Sequence, residues 1–327
     1  MGARSYRCAV LTAVIAAVSA GAAPAAAQTY PSRPITLVVP FPPGGSATII
    51  ARIIADKMSE GLGQQIVVDN RGGAGGSIAA RQVAKSAPDG ATLLLAFTGT
   101  LAVSPLIFAN VGYDPRKDFA GIGLIGMAPS VLAVNPSVPA RSVADLVGIA
   151  KAEPGKIQYG SPGIGTTNHL AGELLAAMTG IKITHIPYKG TGPAITDLLG
   201  GHIAMMFAPI PAAHGNVSAG ALRALGVTGL KRSGSFPDLA TVAEQGLPGF
   251  EAVLHYGIVA PAGTPRPIID KLNAALRAAL DDPKVRSHIA REGAEPLPTS
   301  PKDYAADIDR EETKWSALVR KSNAQAK

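Results

Sequence analysis

Short apolar runs bounded by Gly and Pro alternate along this chain with stretches whose apolar positions recur every three or four residues. Ile35–Val39 precedes a helical pattern from about Thr48 to Leu62. Ile66–Asp69 precedes a Gly-rich turn and a helix from about Ser77 to Lys85. Thr92–Phe97 is a third buried-looking run, with a short helix leading through Pro105 to Phe108. The middle of the chain repeats the grammar. A helix over Ser142–Ala152, with Ser142 as N-cap, leads to Ile157–Tyr159 and then to a helix over Thr166–Met178. Leu170, Leu174, Leu175 and Met178 share that helix's apolar face. Ile183–Ile186, a helix around Ala194–Leu199, Ile203–Phe207 and Leu222–Val227 follow. Glu251–Ala260 reads as a strand, and helices cover Arg266–Ala279, Pro283–Arg291 and Pro301–Arg320. This order predicts an α/β protein of right-handed parallel βαβ units with helices on both sheet faces.

The first 27 residues break the pattern. Arg4 and Arg7, an apolar run from about Ala9 to Ala20 and the small residues Ala25-Ala26-Ala27 read as a secretory signal peptide, with the mature start near Gln28. Cys8, the only cysteine, lies inside it, so the mature chain is expected to carry no disulfide, thiol nucleophile or cysteine-bound metal. The formal charge of +7 falls to +5 once Arg4 and Arg7 leave, a surplus that attracts anions. The basic residues are scattered, with no aromatic-basic stripe, which argues against nucleic acid. Lys284, Arg286, Arg291, Arg310, Lys314 and Arg320 are expected on solvated helix faces.

Candidate chemistry gathers in Gly-rich loops between strands and helices. The run Pro40-Phe41-Pro42-Pro43-Gly44-Gly45-Ser46-Ala47-Thr48 combines stiffening prolines with two glycines that permit close ligand approach. Ser46 or Thr48 is placed to cap the helix, whose first amides favour a negative group. The Gly-Lys-Ser/Thr ending of a nucleotide loop is absent, so no nucleotide cofactor is expected. A second loop, Tyr159-Gly160-Ser161-Pro162-Gly163-Ile164-Gly165-Thr166-Thr167-Asn168-His169, has the same logic and suits a carboxylate without a fixed positive charge. Two such loops in separate halves suggest two lobes presenting helix N-termini to one cleft. Gly72–Ser77 and Lys189–Gly192 are further turns within reach of it, and Phe41 and Tyr188 are candidates to cover an apolar ligand body. His169 and Glu173 read as a helix-surface pair rather than a metal or acid–base site. His185, His202, His214 and His255 stand isolated in sequence. No catalytic constellation is legible, and no metal or cofactor is called for.

Taken together, VVPFPPGGSATIIAR, GGAGGSIAARQVAKSAPDG, YGSPGIGTTNHLAGELL, HIPYKGTGPAITDLLGG and APAGTP closely resemble the Bug family, the substrate-binding proteins of tripartite tricarboxylate transporters. The resemblance spans essentially the whole mature chain in matching order. It implies a periplasmic binding protein of type II-like fold. Each lobe would be a mainly parallel sheet flanked by helices, joined by crossing strands and closing like a hinged trap. Lobe 1 would comprise residues 28–128 and 252–327, and lobe 2 residues 129–251. Carboxylate-binding roles carry over to Pro43, Gly44, Gly45, Ser46, Ser161, Gly165, Thr166, Thr167 and Asn168, with delivery to membrane transporter subunits and no need for a second copy of the chain. Three positions depart from the family pattern: Thr48 and Ala208 stand where acids are common, and His255 where tryptophan is common. The missing acids imply a pocket less suited to a ligand bearing an ammonium group. A sensor that presents the liganded form to a membrane receptor would need the same trap. A periplasmic enzyme acting through His169 and Glu173 is the third reading.

Overall fold

The first apolar run becomes strand β1 (Ile35–Val39), and the helical pattern after it becomes α1 (Ser46–Leu62). Ile50, Ile54, Met58 and Leu62 lie four apart and bury one stripe of α1, each such side chain contributing about 1.5–3 kcal/mol. Gly63 ends it in the left-handed conformation, its N–H bonded to the Ser59 carbonyl. The computed structural model describes residues 30–108 and 110–322, so the signal peptide read from the first 27 residues lies outside the described residues.

Strand β2 (Ile66–Asn70), a 3₁₀ turn at Ala74–Gly76, α2 (Ser77–Ala84) and β3 (Thr92–Phe97) follow. A π-helical turn (Gly99–Val103) runs into the short α3 (Ser104–Ile107). Strand β4 (Phe119–Val134) then spans 16 residues that the sequence pattern did not reveal. The second half contains α4 (Val143–Ala152), β5 (Gln158–Ser161), α5 (Thr167–Thr179), β6 (Thr184–Pro187), α6 (Thr191–Leu199), β7 (Met205–Pro209), α7 (Ile210–Ser218) and β8 (Arg223–Val227). Strand β9 (Val253–Pro261), α8 (Arg266–Asp281), α9 (Pro283–Arg291), β10 (Glu295–Pro296) and α10 (Pro301–Ser322) complete the chain.

The strands run in the order β2-β1-β3-β9-β4-β7-β5-β6, with β8 and β10 also paired to β4. β1 is parallel to β2 and β3, and β5 is parallel to β6 and β7, as βαβ units require. The centre is antiparallel. β4 pairs with β9 from Phe119 to Pro129, and with β7 from Ser130 to Val134. One strand therefore belongs to both sections, and its partners change between Pro129 and Ser130. Alternation sends Val131 and Ala133 into one apolar cluster with Met206 and Ala208, and Leu132 and Val134 into another with Met205 and Phe207.

Side-chain expectations fare unevenly. Ser142 caps α4 as expected, accepting from the Asp145 amide, and Thr166 caps α5. Neither Ser46 nor Thr48 caps α1: the N-cap is Gly45, and the Thr48 hydroxyl instead accepts from Asn70. Met178 is exposed rather than on the buried face of α5. Lys314 is drawn off the solvated face, paired with Glu251 at 3.0 Å and lying over the Trp315 ring.

Candidate functional site

The first loop hangs from the carboxyl end of β1 at the start of α1. Asn70 Nδ2 donates to the Phe41 carbonyl at 3.0 Å and to Thr48 Oγ1 at 2.8 Å, tying both ends of the loop to β2. The Phe41 ring packs edge-on against Phe97 at 4.9 Å, which itself meets Tyr256. Between those anchors Gly44, at φ +97°, and Gly45 have open space where a Cβ would project. No side chain caps α1; the Thr48 amide donates to the Gly45 carbonyl at 2.9 Å, and the positive dipole end faces the loop's surroundings. Pro43, Gly44, Gly45 and Ser46 are solvent-accessible here, and Thr48 is buried.

The second loop is held by its own bonds. Ser161 Oγ lies within bonding distance of both the Gly163 carbonyl and amide, and Thr166 Oγ1 donates to the Gly163 carbonyl at 2.8 Å. Thr166 Oγ1 also accepts the His169 amide. Asn168 Nδ2 donates to Ser130 Oγ and to the Phe207 carbonyl, fastening α5 to β4 and β7. The Gly165 amide donates to His169 Nδ1 at 3.2 Å. Of the residues expected to offer amides, Gly165 thus has its N–H occupied within the chain. Thr167 Oγ1 is buried without a hydrogen-bond partner among the described residues.

Loops from the two halves meet through glycines. A Cβ on Gly99 would lie 2.8 Å from the Gly165 carbonyl oxygen, and one on Gly75 would lie 3.3 Å from that of Ile164. A Cβ on Gly72 would lie 2.8 Å from Pro42, and one on Gly76 would lie 2.7 Å from Thr100 Oγ1 and 3.0 Å from Pro40. The Gly72–Ser77 turn and the Gly99–Ser104 segment therefore stand between the two loops. The first is a candidate by its sequence; the second carries no site signal there. Thr100 Oγ1 is a further buried hydroxyl without a partner among the described residues, and those of Ser77 and Ser104 flank the Tyr113 phenol without completing a bond. Burial pushes Tyr113 up to about 12, with the nearby hydroxyls and Arg81 opposing, so it stays a neutral donor, bonded to the Thr100 carbonyl.

Tyr188 borders the second loop, its amide donating to the Ser161 carbonyl at 3.0 Å, and Ala208 lies in the same half. The Tyr188 hydroxyl donates to Asp197 at 2.7 Å, while Ala208 is fully buried in a cluster with Ile195 and Leu198 against which Tyr188 packs. His255 donates its amide to Thr98 Oγ1 and pairs through Nδ1 with the buried Asp307 at 2.7 Å. A groove of about 590 Å³ lined by His214, Arg223, Phe236 and Asp238 includes none of the loop residues.

His169 is buried, not on a helix surface, and His185, isolated in sequence, packs against it. Their rings stack 4.1 Å apart, and His185 Nε2 lies 2.7 Å from Ser161 Oγ. Tyr159, paired with His185 in the β5–β6 register, donates to Glu173 at 2.7 Å. Burial, and secondarily His185, pulls His169 down to about 3; burial pulls His185 down to about 4. Both rings are neutral at ordinary pH. No group of His, Cys, Asp and Glu among the described residues is placed to hold a metal ion. No described helix is long and apolar enough to cross a membrane.

The geometry is that of loops converging at helix starts, with hydroxyls and amides in place of fixed charge. Known proteins share the fold that carries these loops. The family model for the "Tripartite tricarboxylate transporter family receptor", TctC, matches residues 50–324. Protein BugT of Bordetella pertussis is 40% identical over 307 residues, covering 94% of each chain. The structure of R. palustris Rpa4515 with adipate aligns with a TM-score of 0.84 at 38% identity, covering 90% of this chain and 98% of that one. That of the periplasmic binding protein BugD aligns at 0.82 and 37%, covering 91% and 100%. The chain belongs to the tripartite tricarboxylate transporter receptor family, and it is a two-lobed α/β solute-binding protein of the Bug type rather than an enzyme.

Proposed function

We propose that this receptor captures a small organic carboxylate between two lobes and delivers it to the membrane subunits of a tripartite tricarboxylate transporter. The lobes comprise residues 28–128 with 252–327, and 129–251; the change of β4 partners between Pro129 and Ser130 supports that division. The signal peptide at residues 1–27 exports the chain to the periplasm, where family members such as BugD reside.

The observation that carries the reading is the buried hydroxyl of Thr167, at the first position of α5, with no partner among the described residues. Leaving such a group dry costs about 1–3 kcal/mol, so it marks a place where a ligand oxygen completes the bonding. Thr100 repeats the pattern across the contact between the lobes. The α5 dipole then favours an anion over a neutral acceptor. The ligand site consists of Phe41, Pro43, Gly44, Gly45 and Ser46 on one lobe and Ser161, Thr166, Thr167 and Asn168 on the other. Gly165 serves through its backbone position, Thr48 through its bond to Asn70, and Tyr188 and Ala208 as a second wall.

Carboxylates near these loops are already engaged: Asp69 pairs with Arg71, Glu173 accepts from Tyr159, and Asp197 accepts from Tyr188. With Thr48 and Ala208 uncharged, nothing there neutralises an ammonium group, which favours a deaminated acid over an amino acid. The adipate held by the similar Rpa4515 has that chemistry. Capture proceeds by closure, since contacts to both lobes stabilise the closed state over the open one.

The test is calorimetry and thermal shift on refolded, ligand-stripped protein against aliphatic, aromatic and amino-substituted carboxylates. At a hundredfold excess over Kd one acid should raise stability by about 2.7 kcal/mol. Tight selection of an amino acid over its deaminated counterpart would overturn the ligand class. A flat response across the whole panel would overturn the carboxylate reading.

A further inference from the structure

We propose that His169 is a positioning residue, whose neutral imidazole fixes the Ile164–Gly165 peptide and thereby sets the face of the second loop that meets the opposite lobe. The inference rests on the carboxylate-receptor reading for its functional consequence, though not for its geometry.

The N–H and C=O of a trans peptide point in opposite directions. Gly165 N–H points inward, donating to His169 Nδ1 at 3.2 Å, a buried bond. The Ile164 carbonyl of the same peptide is thereby turned outward, and it lies where a Cβ on Gly75 would be 3.3 Å away. Gly165 itself is held at φ +81°, which a side chain would resist, and its own carbonyl faces Gly99. One imidazole nitrogen thus determines what this loop shows to the two segments that approach it from the other half of the molecule.

For Nδ1 to accept, the ring must be neutral with its proton on Nε2, which faces Glu173 Oε1 at 3.9 Å. The surroundings enforce that form. His185 stacks at 4.1 Å, so two charged rings would repel; Tyr159 OH donates to Glu173 at 2.7 Å, with the His169 carbonyl 3.3 Å from the same oxygen. With Nδ1 taken by the Gly165 amide and Nε2 facing Glu173, His169 acts through Gly165 rather than on a ligand. A flipped Ile164–Gly165 peptide would withdraw the outward carbonyl and disturb the Thr166–Thr167 turn, so preorganisation is lost before any ligand arrives.

The test uses His169→Phe, which keeps an aromatic ring in the stack but removes the acceptor, and His169→Asn, whose side-chain oxygen restores an acceptor near the Nδ1 position. Two quantities are read on the full mature protein: hydrogen exchange at the Gly165 amide without ligand, and the Kd for adipate. His169→Phe should speed Gly165 exchange and weaken adipate, each by about tenfold, the weight of one ordinary hydrogen bond. His169→Asn should restore both to within about threefold. Unchanged Gly165 exchange in His169→Phe, or equal losses in both variants, overturns the positioning role. If the parent protein binds no adipate the ligand reading fails by itself, and the exchange measurement still decides the role of His169.

Discussion

The two glycine loops reach similar positions, at the end of a strand and the start of a helix, by different physical means. The first is held from outside: prolines restrict its backbone, Asn70 ties its ends, and Phe41 is clamped on Phe97. None of its residues from Pro40 to Thr48 titrates. The second is held from inside, by Ser161, Thr166 and two neutral histidines bonded to its own backbone and hydroxyls. A covalently stiffened loop tolerates changes of pH and loses little when a hydroxyl is removed. A loop held by hydrogen bonds is better defined in direction but depends on protonation. The receptor thus pairs a robust jaw with a conditional one.

Acid should separate the two most strongly. The folded state keeps His169 and His185 neutral, at about 3 and about 4, whereas the unfolded chain takes up these protons near the usual 6.5. Stability contributed by these sites is therefore complete above about pH 6.5, falls as pH drops through the window down to about 4, and levels below about 3. The loss should be on the order of 3 kcal/mol for each histidine between pH 7 and 4. Melting curves across that range check it, and a His169→Asn/His185→Gln double variant should show a flatter slope. An identical slope would remove the distinction between the loops.

Thr167→Val comes next. It deletes a hydroxyl that the ligand-free protein leaves unpaired, so the melting temperature should hold or rise. Affinity for the best carboxylate should fall about tenfold or more, as expected for one bond to a charged group. A matching loss of apo stability would mean the hydroxyl is structural. Asn70→Ala tests the outside anchor: two bonds vanish, and stability should drop by about 1–2 kcal/mol by denaturant titration, with the same pH slope as the parent. The smallest effect belongs to Ser46→Ala. Because that hydroxyl caps nothing, the change should stay within about 0.5 kcal/mol, where a true cap would cost about 1.

Much of the fold was legible because its elements obey local rules. Pro283–Arg291 appears with the expected limits, and the strands from Ile35 to Phe97 match within a residue. β4 was not legible. Its glycines interrupt the apolar pattern, yet the fold needs them: a Cβ on Gly126 would sit 2.4 Å from the Glu295 carbonyl where β10 crosses. That signal is tertiary, and a strand propensity cannot contain it. The glycine loops announced the site through composition, but the partners of each loop did not. His169 and His185 stand sixteen positions apart and meet only because β5 and β6 pair in parallel with Tyr159 beside His185. The Gly99–Ser104 segment was hidden similarly, since its relevance lies in the Gly165 carbonyl it touches.

The shared strand has a consequence for how such receptors diversify. Pro129 on β4 stands opposite Val253 on β9, so the chain departs toward the second half and comes back at neighbouring points, one strand spacing or about 5 Å apart. Everything between is topologically an insert with coincident ends. Its ends stay in place when its contents change, but its core does not stand alone: Trp315, Leu318 and Val319 of α10 lie in one apolar cluster with Leu132, Tyr159 and Leu170. A segment exchanged there must therefore also fit the last helix of the chain.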